Sequence, residues 1–232
     1  MALVNQDSRM SDIVIANPAI VTVLHRFGIT LGLGDKTIAD VCEQTHLDTT
    51  FFTTILNTYL NREYFPERLF AGFSASLIIR YLEQTNTYYE QFQLPNIERH
   101  FKPLLSMCDE PNSNLPLMHR FFSEVREAML KRIHEDRHRW FPEVLDLERH
   151  VLTVRETSIT GFDDGPDSIE DKLSDLITMF VVHLTGNYDH NLGYAVLSAL
   201  DNLHKDVVQN NRIRNRILLP LAQALTQTAN RL

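Results

Sequence analysis

Apolar residues recur three and four positions apart along almost the whole chain, and this spacing constrains the fold more than any other feature. It places one apolar stripe on each helix, and such a stripe must be buried against another element. The chain has only 8 glycines in 232 residues, so few positions favour a break in a helix. We therefore predict an all-α fold.

Residues 1–62 predict a small domain of three helices. One helix ends at Gly28, a second covers about residues 37–45, and a third begins near Asp48. Residues 63–73 are predicted to be a linker. The aromatic residues of this region exceed the needs of so small a domain, so we expect some of them to cover the second domain or another subunit of a homodimer. They are Phe51, Phe52, Tyr59, Tyr64, Phe65 and Phe70.

Residues 74–232 predict four long helices joined by short loops, which is typical of an antiparallel four-helix bundle. The first helix should bend or restart at Pro95, because proline removes a backbone donor, and the last should bend at Pro220. The third helix should begin at Ser168, after the helix-breaking sequence GFDDGPDS. The apolar face of the second helix is predicted to contain Phe121, Val125, Met129, Ile133 and Trp140.

Charge and composition exclude several classes of function. The formal net charge of −8 disfavours direct binding to nucleic acid, because an acidic surface repels phosphate. The two cysteines, Cys42 and Cys108, cannot form a four-thiolate metal site. The first residues lack the pattern of an export signal, and no apolar run reaches the ~18 residues that span a bilayer. We therefore expect a cytoplasmic protein without membrane contact.

The isolated chemical signals favour structural interpretations. His134 and His138 have the spacing that can chelate a metal from one helix face, but the surrounding sequence KRIHEDRHRW is typical of a charged, exposed face. His183 and His190 lie near a predicted helix end, where a histidine interacts with the helix dipole. Residues 32–34 are too short for a phosphate-binding loop and are predicted to form a turn. No G-x-S-x-G motif is present.

The stretch DIVIANPAIVTVLHRFGITLGLGDKTIADVC resembles the small N-terminal domain of the repair-of-iron-centres family, and the rest of the chain resembles that family's haemerythrin-like di-iron bundle. Gly28, Gly34 and Cys42 match the family pattern. Gly32 and Leu33 stand where the family has a Cys-Cys pair. The resemblance therefore implies an N-terminal domain that has lost its thiolate pair.

The resemblance also assigns former metal-site positions in the bundle, where the family binds iron through histidines and two His-x-x-x-Glu pairs. The register is set by the apolar-proline dipeptides at 94–95, 141–142 and 219–220. In chain order, the family's first two histidines fall on Asn86 and Thr87, and the next histidine falls on Cys108. The first His-x-x-x-Glu pair falls on Arg132 and Asp136, and the second falls on Asn210 and Arg214. The histidine of the third helix falls on Asp171. Arginines at two of these positions disfavour a di-iron centre through their charge.

We expect these side chains to form an internal polar network that replaces the ions, since unpaired polar groups in a bundle are costly. Arg132 and Arg214 should bridge the second, third and fourth helices by pairing with Asp136 and Asp171. Asn86 and Asn210 should satisfy the remaining donors and acceptors.

The resemblance implies a non-catalytic sensory, regulatory or scaffold module that has lost its metal site and needs no cofactor. Similar domain combinations serve as the regulatory part of bacterial transcription regulators, so a protein partner or a separate DNA-binding output domain is expected. One alternative is an iron-binding stress-response protein that repairs iron–sulfur centres with an altered ligand set. Another is a domain that binds a small apolar ligand where the irons were.

Overall fold

The computed structural model of the chain describes residues 3–61, 63–107, 114–151 and 168–229. Within these ranges the chain is helical and forms no β-strand, which confirms the predicted all-α class. An isolated antiparallel bridge joins Arg9 to Thr37. Cys108 and most of the predicted helix-breaking sequence GFDDGPDS lie outside the described residues.

Short polar side chains cap α3 and α4, and a proline begins the 3-10 turn before α2. The elements are α1 (Met10–Ala16), a 3-10 turn (Pro18–Ile20), α2 (Val21–Arg26), α3 (Ile38–Thr45) and α4 (Thr49–Leu60). Thr37 and Asp40 form a reciprocal capping box at the start of α3. Asp48 caps α4 by accepting a hydrogen bond from a backbone N–H of its first turn. Gly28 follows α2 with a φ of 72°, a conformation that favours glycine and ends the helix.

The later helices are longer, and three of them continue through a turn of π-helix. The elements are α5 (Glu67–Phe70), α6 (Ala75–Tyr88), α7 (Leu94–Ser106), α8 (Leu115–Glu135), α9 (Phe141–Val151), α10 (Ser168–His183), α11 (His190–Ile213) and α12 (Leu219–Ala229). The π turns cover Tyr89–Gln93, Asp136–Trp140 and Arg214–Leu218. They join α6 to α7, α8 to α9, and α11 to α12 without a break in the helix. None of the described helices is both long and apolar enough to cross a membrane.

The chain divides into two compact units. Unit 1 contains the described parts of Met1–Thr85 and Arg212–Ala224, and unit 2 those of Asn86–Asn211 and Leu225–Leu232. The first border lies inside α6 rather than in the predicted linker at 63–73. A border within a continuous helix is not accompanied by a cluster of helix-breaking residues, so the sequence gives no signal for it.

Aromatic side chains on, or next to, α2, α4 and α6 form part of the core of unit 1. The rings of Phe27 and Tyr81 stack with their centroids 5.3 Å apart, and Phe52 meets Phe27 edge-on at 4.9 Å. Phe51 is buried and lies edge-on to Phe73 at 5.0 Å. Such edge-on and stacked pairs add to the stabilisation that burial of apolar area gives.

The aromatic surplus predicted from the sequence is mostly used inside unit 1. Phe65 lies 5.4 Å from Phe70, and the guanidinium groups of Arg212 and Arg216 lie 4.3 Å and 5.0 Å from the centre of its ring. Arg216 also forms an ion pair with Glu67. These contacts show how residues of the last helix are held to the segment 63–73 within unit 1.

The core of unit 2 combines side chains from α7, α8, α10 and α11. The Phe101 ring lies 5.8 Å from Phe122 and 5.4 Å from Phe180, and Leu200 and Leu203 of α11 are fully buried in the same cluster. The predicted inward residues of the second helix are buried, with one exception. Phe121 is only half-buried, and its neighbour Phe122 takes the core position.

Candidate functional site

The π turns share one sequence feature. Each ends directly before an apolar-proline dipeptide, at 94–95, 141–142 and 219–220. In a regular helix, proline lacks an N–H donor and clashes with the carbonyl group four residues before it. The wider turn instead lets the residue before proline donate its N–H five residues back, as Leu94 does to the carbonyl oxygen of Tyr89. The helix therefore continues through Pro95 and Pro220 and does not end at either proline.

Three of the predicted former metal-site residues are deeply buried in unit 2. Asn86, Asp136 and Asn210 are each 2% exposed, and Asp136 is the first residue of a π turn. Within the described part of the chain, Asn86 Nδ2 and Asn210 Oδ1 have no hydrogen-bond partner. A buried donor or acceptor without a hydrogen-bond partner lowers the free energy of unfolding. Close packing alone therefore does not explain why these two positions carry amides.

A chain of hydrogen bonds crosses three helices of unit 2. Arg132 on α8 donates from Nη1 to Oδ1 of Asn211 on α11 at 3.0 Å. Asn211 in turn donates from Nδ2 to Oε1 of Glu170 on α10 at 2.7 Å. We call these three residues the polar chain. The Asn211 amide thus joins a cation to an anion, and because it is only 3% exposed, the contacts are screened little by solvent.

The polar chain differs in its members from the network expected from the sequence. Arg132 belongs to it, but its other members are Asn211 and Glu170 rather than Asn210 and Asp171. Asp171 is exposed to solvent. Neighbouring residues of a helix point about 100° apart, so an error of one residue in register selects a different face.

The remaining predicted positions lie in other surroundings. Thr87 is half-buried and accepts a 3.5 Å hydrogen bond from Nη2 of Arg137, whose Nη1 donates to Glu90 at 3.0 Å. Arg214 belongs to unit 1, where its Nη1 donates to Oδ1 of the next residue, Asn215, at 3.0 Å. Cys108 lies outside the described residues.

The donor set does not fit a di-iron centre. Iron sites of this kind are formed by imidazole and carboxylate groups, whereas Asn86 and Asn210 present amides and Arg132 a cation. Asp136 is a buried carboxylate at a former ligand position. In the part of the chain that the structure describes, no three His, Cys, Asp or Glu residues come together as a metal site would require.

Most of the other candidate residues lie where a structural role predicts them, but His190 is the first residue of α11, at the helix end whose dipole does not favour a cation. His134 and His138 are exposed, with ring centroids 4.4 Å apart, and His183 and His190 are exposed as well. Residues 32–34 form a turn in which both glycines have positive φ. Cys42 is 1% exposed, and burial raises the pKa of its thiol.

No family model and no curated protein matches this sequence. The similarity to the repair-of-iron-centres family therefore depends on the framework residues quoted above and remains an expectation. The structure itself defines an all-α class of protein whose second unit contains several buried polar residues beside its apolar core. Two features of unit 2 bear most directly on function. They are the polar chain and the buried polar residues Asn86, Asp136 and Asn210.

Proposed function

We propose that this chain is a non-catalytic sensory, regulatory or scaffold module, derived from a haemerythrin-like protein, in which a polar network has replaced the metal site. The polar chain is the observation that supports this proposal. It begins at Arg132, a position that the family resemblance gives to a histidine ligand. It ends at Glu170, next to the position that the resemblance gives to the third-helix histidine.

The charges of the polar chain support a structural role in place of iron. Arg132 and Glu170 carry opposite charges and are joined through the Asn211 amide, so the chain needs no external cation for neutrality. An iron ion placed beside Arg132 would meet electrostatic repulsion in an environment of low dielectric constant. The network can therefore hold α8, α10 and α11 together without a metal.

The regulatory part of the proposal depends on the family resemblance. A helical module that has lost its reactive centre can still pass a signal to a partner, and a DNA-binding output would come from another domain or protein. The net charge of −8 supports assigning DNA contact to that partner rather than to this chain. Homodimer formation is also part of the proposal. Val181 and Val182 on α10 are 66% and 63% exposed and would be covered by association.

The alternative function, an iron-binding repair protein with an altered ligand set, is favoured by one observation. Asp136 is 2% exposed and lies at a position that the resemblance gives to an iron-binding glutamate. A buried carboxylate is a good ligand for iron, and one of this kind is uncommon in a helix interior.

An anaerobic titration with Fe(II), followed by thermal unfolding, distinguishes the two functions. A ligand at about 100 times its Kd stabilises the folded protein by about 2.7 kcal/mol, which raises the Tm of a chain of this size by roughly 5 to 10 °C. The proposed function predicts no rise in Tm. A rise that disappears in the Asp136→Asn variant would support the iron-binding alternative instead.

Light scattering tests the association. A homodimer predicts a mass of about twice 26.9 kDa at high micromolar concentration. A mass of one chain under those conditions would remove association from the proposal but would leave the metal-free assignment unchanged.

A further inference from the structure

A cleft of about 310 Å³ lies entirely within unit 1, between the end of α2, the start of α4 and the middle of α6. Its volume falls at the lower end of the range found for small-molecule sites. None of the residues singled out from the sequence as a former metal ligand lines it. The cleft is therefore a site separate from the buried polar residues of unit 2.

The cleft contains a buried cation that is held in place. Arg26 is 3% exposed, and its Nη1 donates to the hydroxyl oxygens of Tyr59 at 2.8 Å and Tyr81 at 3.2 Å. Its guanidinium group also lies 5.6 Å from the centre of the Tyr59 ring. Burying a guanidinium group is costly, so its hydrogen bonds to these hydroxyl groups matter for keeping it in this position. Fixed in this way, Arg26 is oriented before any ligand arrives.

Aromatic rings form a flat wall beside this cation. Phe27 and Tyr81 stack with an angle of 26° between their planes, and both line the cleft. Phe51 lies edge-on to them, at 6.3 Å from Phe27 and 6.2 Å from Tyr81. Leu77 completes the apolar part of the lining. A planar apolar group placed here would contact ring faces and edges on more than one side.

The rim of the cleft favours an anion. Arg80 and His46 line it and are exposed to solvent. The only carboxylate among the lining residues is Asp48, whose Oδ1 already accepts a 2.7 Å hydrogen bond from the backbone N–H of Phe51. With Arg26 at the base, the lining carries more positive than negative charge.

We propose that this cleft binds a small organic anion with a flat apolar body, such as an aromatic carboxylate. Arginine presents planar paired donors that match a carboxylate, and Arg80 is placed at the rim to provide them. The aromatic wall holds the ring system, and the buried Arg26, fixed by the hydroxyl groups of Tyr59 and Tyr81, lies beside this wall. A ligand of this class would give the proposed sensory module its signal, although the binding itself does not depend on that role.

The test is a titration of the 15N-labelled full chain with 2-naphthoate, followed by amide chemical shifts of Gly28, His46 and Asp48. Saturable shifts at these amides are expected, with none from 2-naphthamide, which has the same ring system without the charge. Arg80→Gln should weaken 2-naphthoate binding by about tenfold, the effect of losing one charge-assisted contact. Arg68→Gln, which removes the same charge from an exposed residue outside the cleft, should change it by less than about twofold.

A variant that fills the cleft provides a second test without changing any charge. Leu77→Trp should abolish the shifts caused by 2-naphthoate while the dispersion of the amide spectrum remains that of a folded chain. The inference is overturned by an absence of shifts up to the solubility limit, by equal shifts from 2-naphthamide, or by equal weakening in Arg80→Gln and Arg68→Gln. Because all lining residues belong to unit 1, these results are independent of the metal content of unit 2.

Discussion

Arg132 on α8 and Asn211 on α11 are joined by a 3.0 Å hydrogen bond, although 79 positions separate them in the sequence. This bond connects a long cationic side chain to a buried amide that also contacts Glu170. It is one contact that unit 2 makes with a guanidinium group at a position that the family resemblance gives to a metal ligand.

A double-mutant cycle on this bond tests whether the polar chain stabilises the fold. Arg132→Ala should lower the free energy of unfolding by about 2 kcal/mol, because it removes a charge-assisted hydrogen bond to a buried group. Arg132→Ala and Asn211→Ala together should show a coupling of about 1 kcal/mol in urea unfolding. Arg126→Ala, on the exposed face of α8, serves as the control and should change stability by less than ~0.5 kcal/mol. A coupling near zero would contradict a structural role.

The hydroxyl group of Tyr81 is expected to stabilise the buried Arg26. Tyr81→Phe keeps the ring contacts with Phe27 but removes the acceptor at 3.2 Å. The free energy of unfolding should fall by about 1 to 2 kcal/mol, as expected when a buried charged donor loses a partner. Tyr194→Phe is the matched control, since Tyr194 is 74% exposed and should give almost no change. Equal effects from the two variants would show that Arg26 does not depend on this hydroxyl group.

Cys42 should resist thiol reagents in the folded protein. Its side chain is 1% exposed, and burial raises the pKa of the thiol, so little thiolate is accessible at neutral pH. In a Cys108→Ser variant, labelling by a maleimide should require unfolding and should accelerate strongly in denaturant. Rapid labelling in native buffer would show that the segment containing α3 opens readily.

The capping box of α3 predicts a pH dependence. The hydrogen bond from the backbone N–H of Thr37 holds the pKa of the Asp40 carboxyl below its usual value of 3.8. A carboxyl with a lowered folded-state pKa contributes stability above its unfolded pKa and loses it as the pH falls through the folded one. The stability difference between the natural chain and Asp40→Asn should therefore shrink as the pH falls below about 4. Glu43→Gln, on an exposed residue of the same helix, should show no such trend.

Helix type and helix starts could be predicted from the sequence because their signals are local. Gly28 ends α2, Asp48 caps α4, and the apolar spacing identifies most of the buried face of α8. These features depend on the backbone preferences of a few neighbouring residues, which the sequence states directly.

The place of Asn211 in the polar chain could not be predicted, because the π turn at Arg214–Leu218 inserts an additional residue into the helical turn before the dipeptide at 219–220. A landmark such as the dipeptide at 219–220 then no longer specifies which face an upstream residue occupies. Asn210 and Asn211 point about 100° apart, and so do Glu170 and Asp171, so a shift of one residue exchanges partner and non-partner. The cleft of unit 1 has no sequence signal either, since it forms from residues of three separate helices.

Metal content measured directly on the purified chain tests the central claim that a polar network stands in place of the di-iron site. The protein should be produced in iron-supplemented medium, purified without oxygen or chelators, and analysed for iron, zinc and manganese against protein concentration. Far less than one metal ion per chain is expected, because Arg132, Asn86 and Asn210 do not supply metal ligands of the required kind. Close to two metal ions per chain, lost in Asp136→Asn, would contradict it.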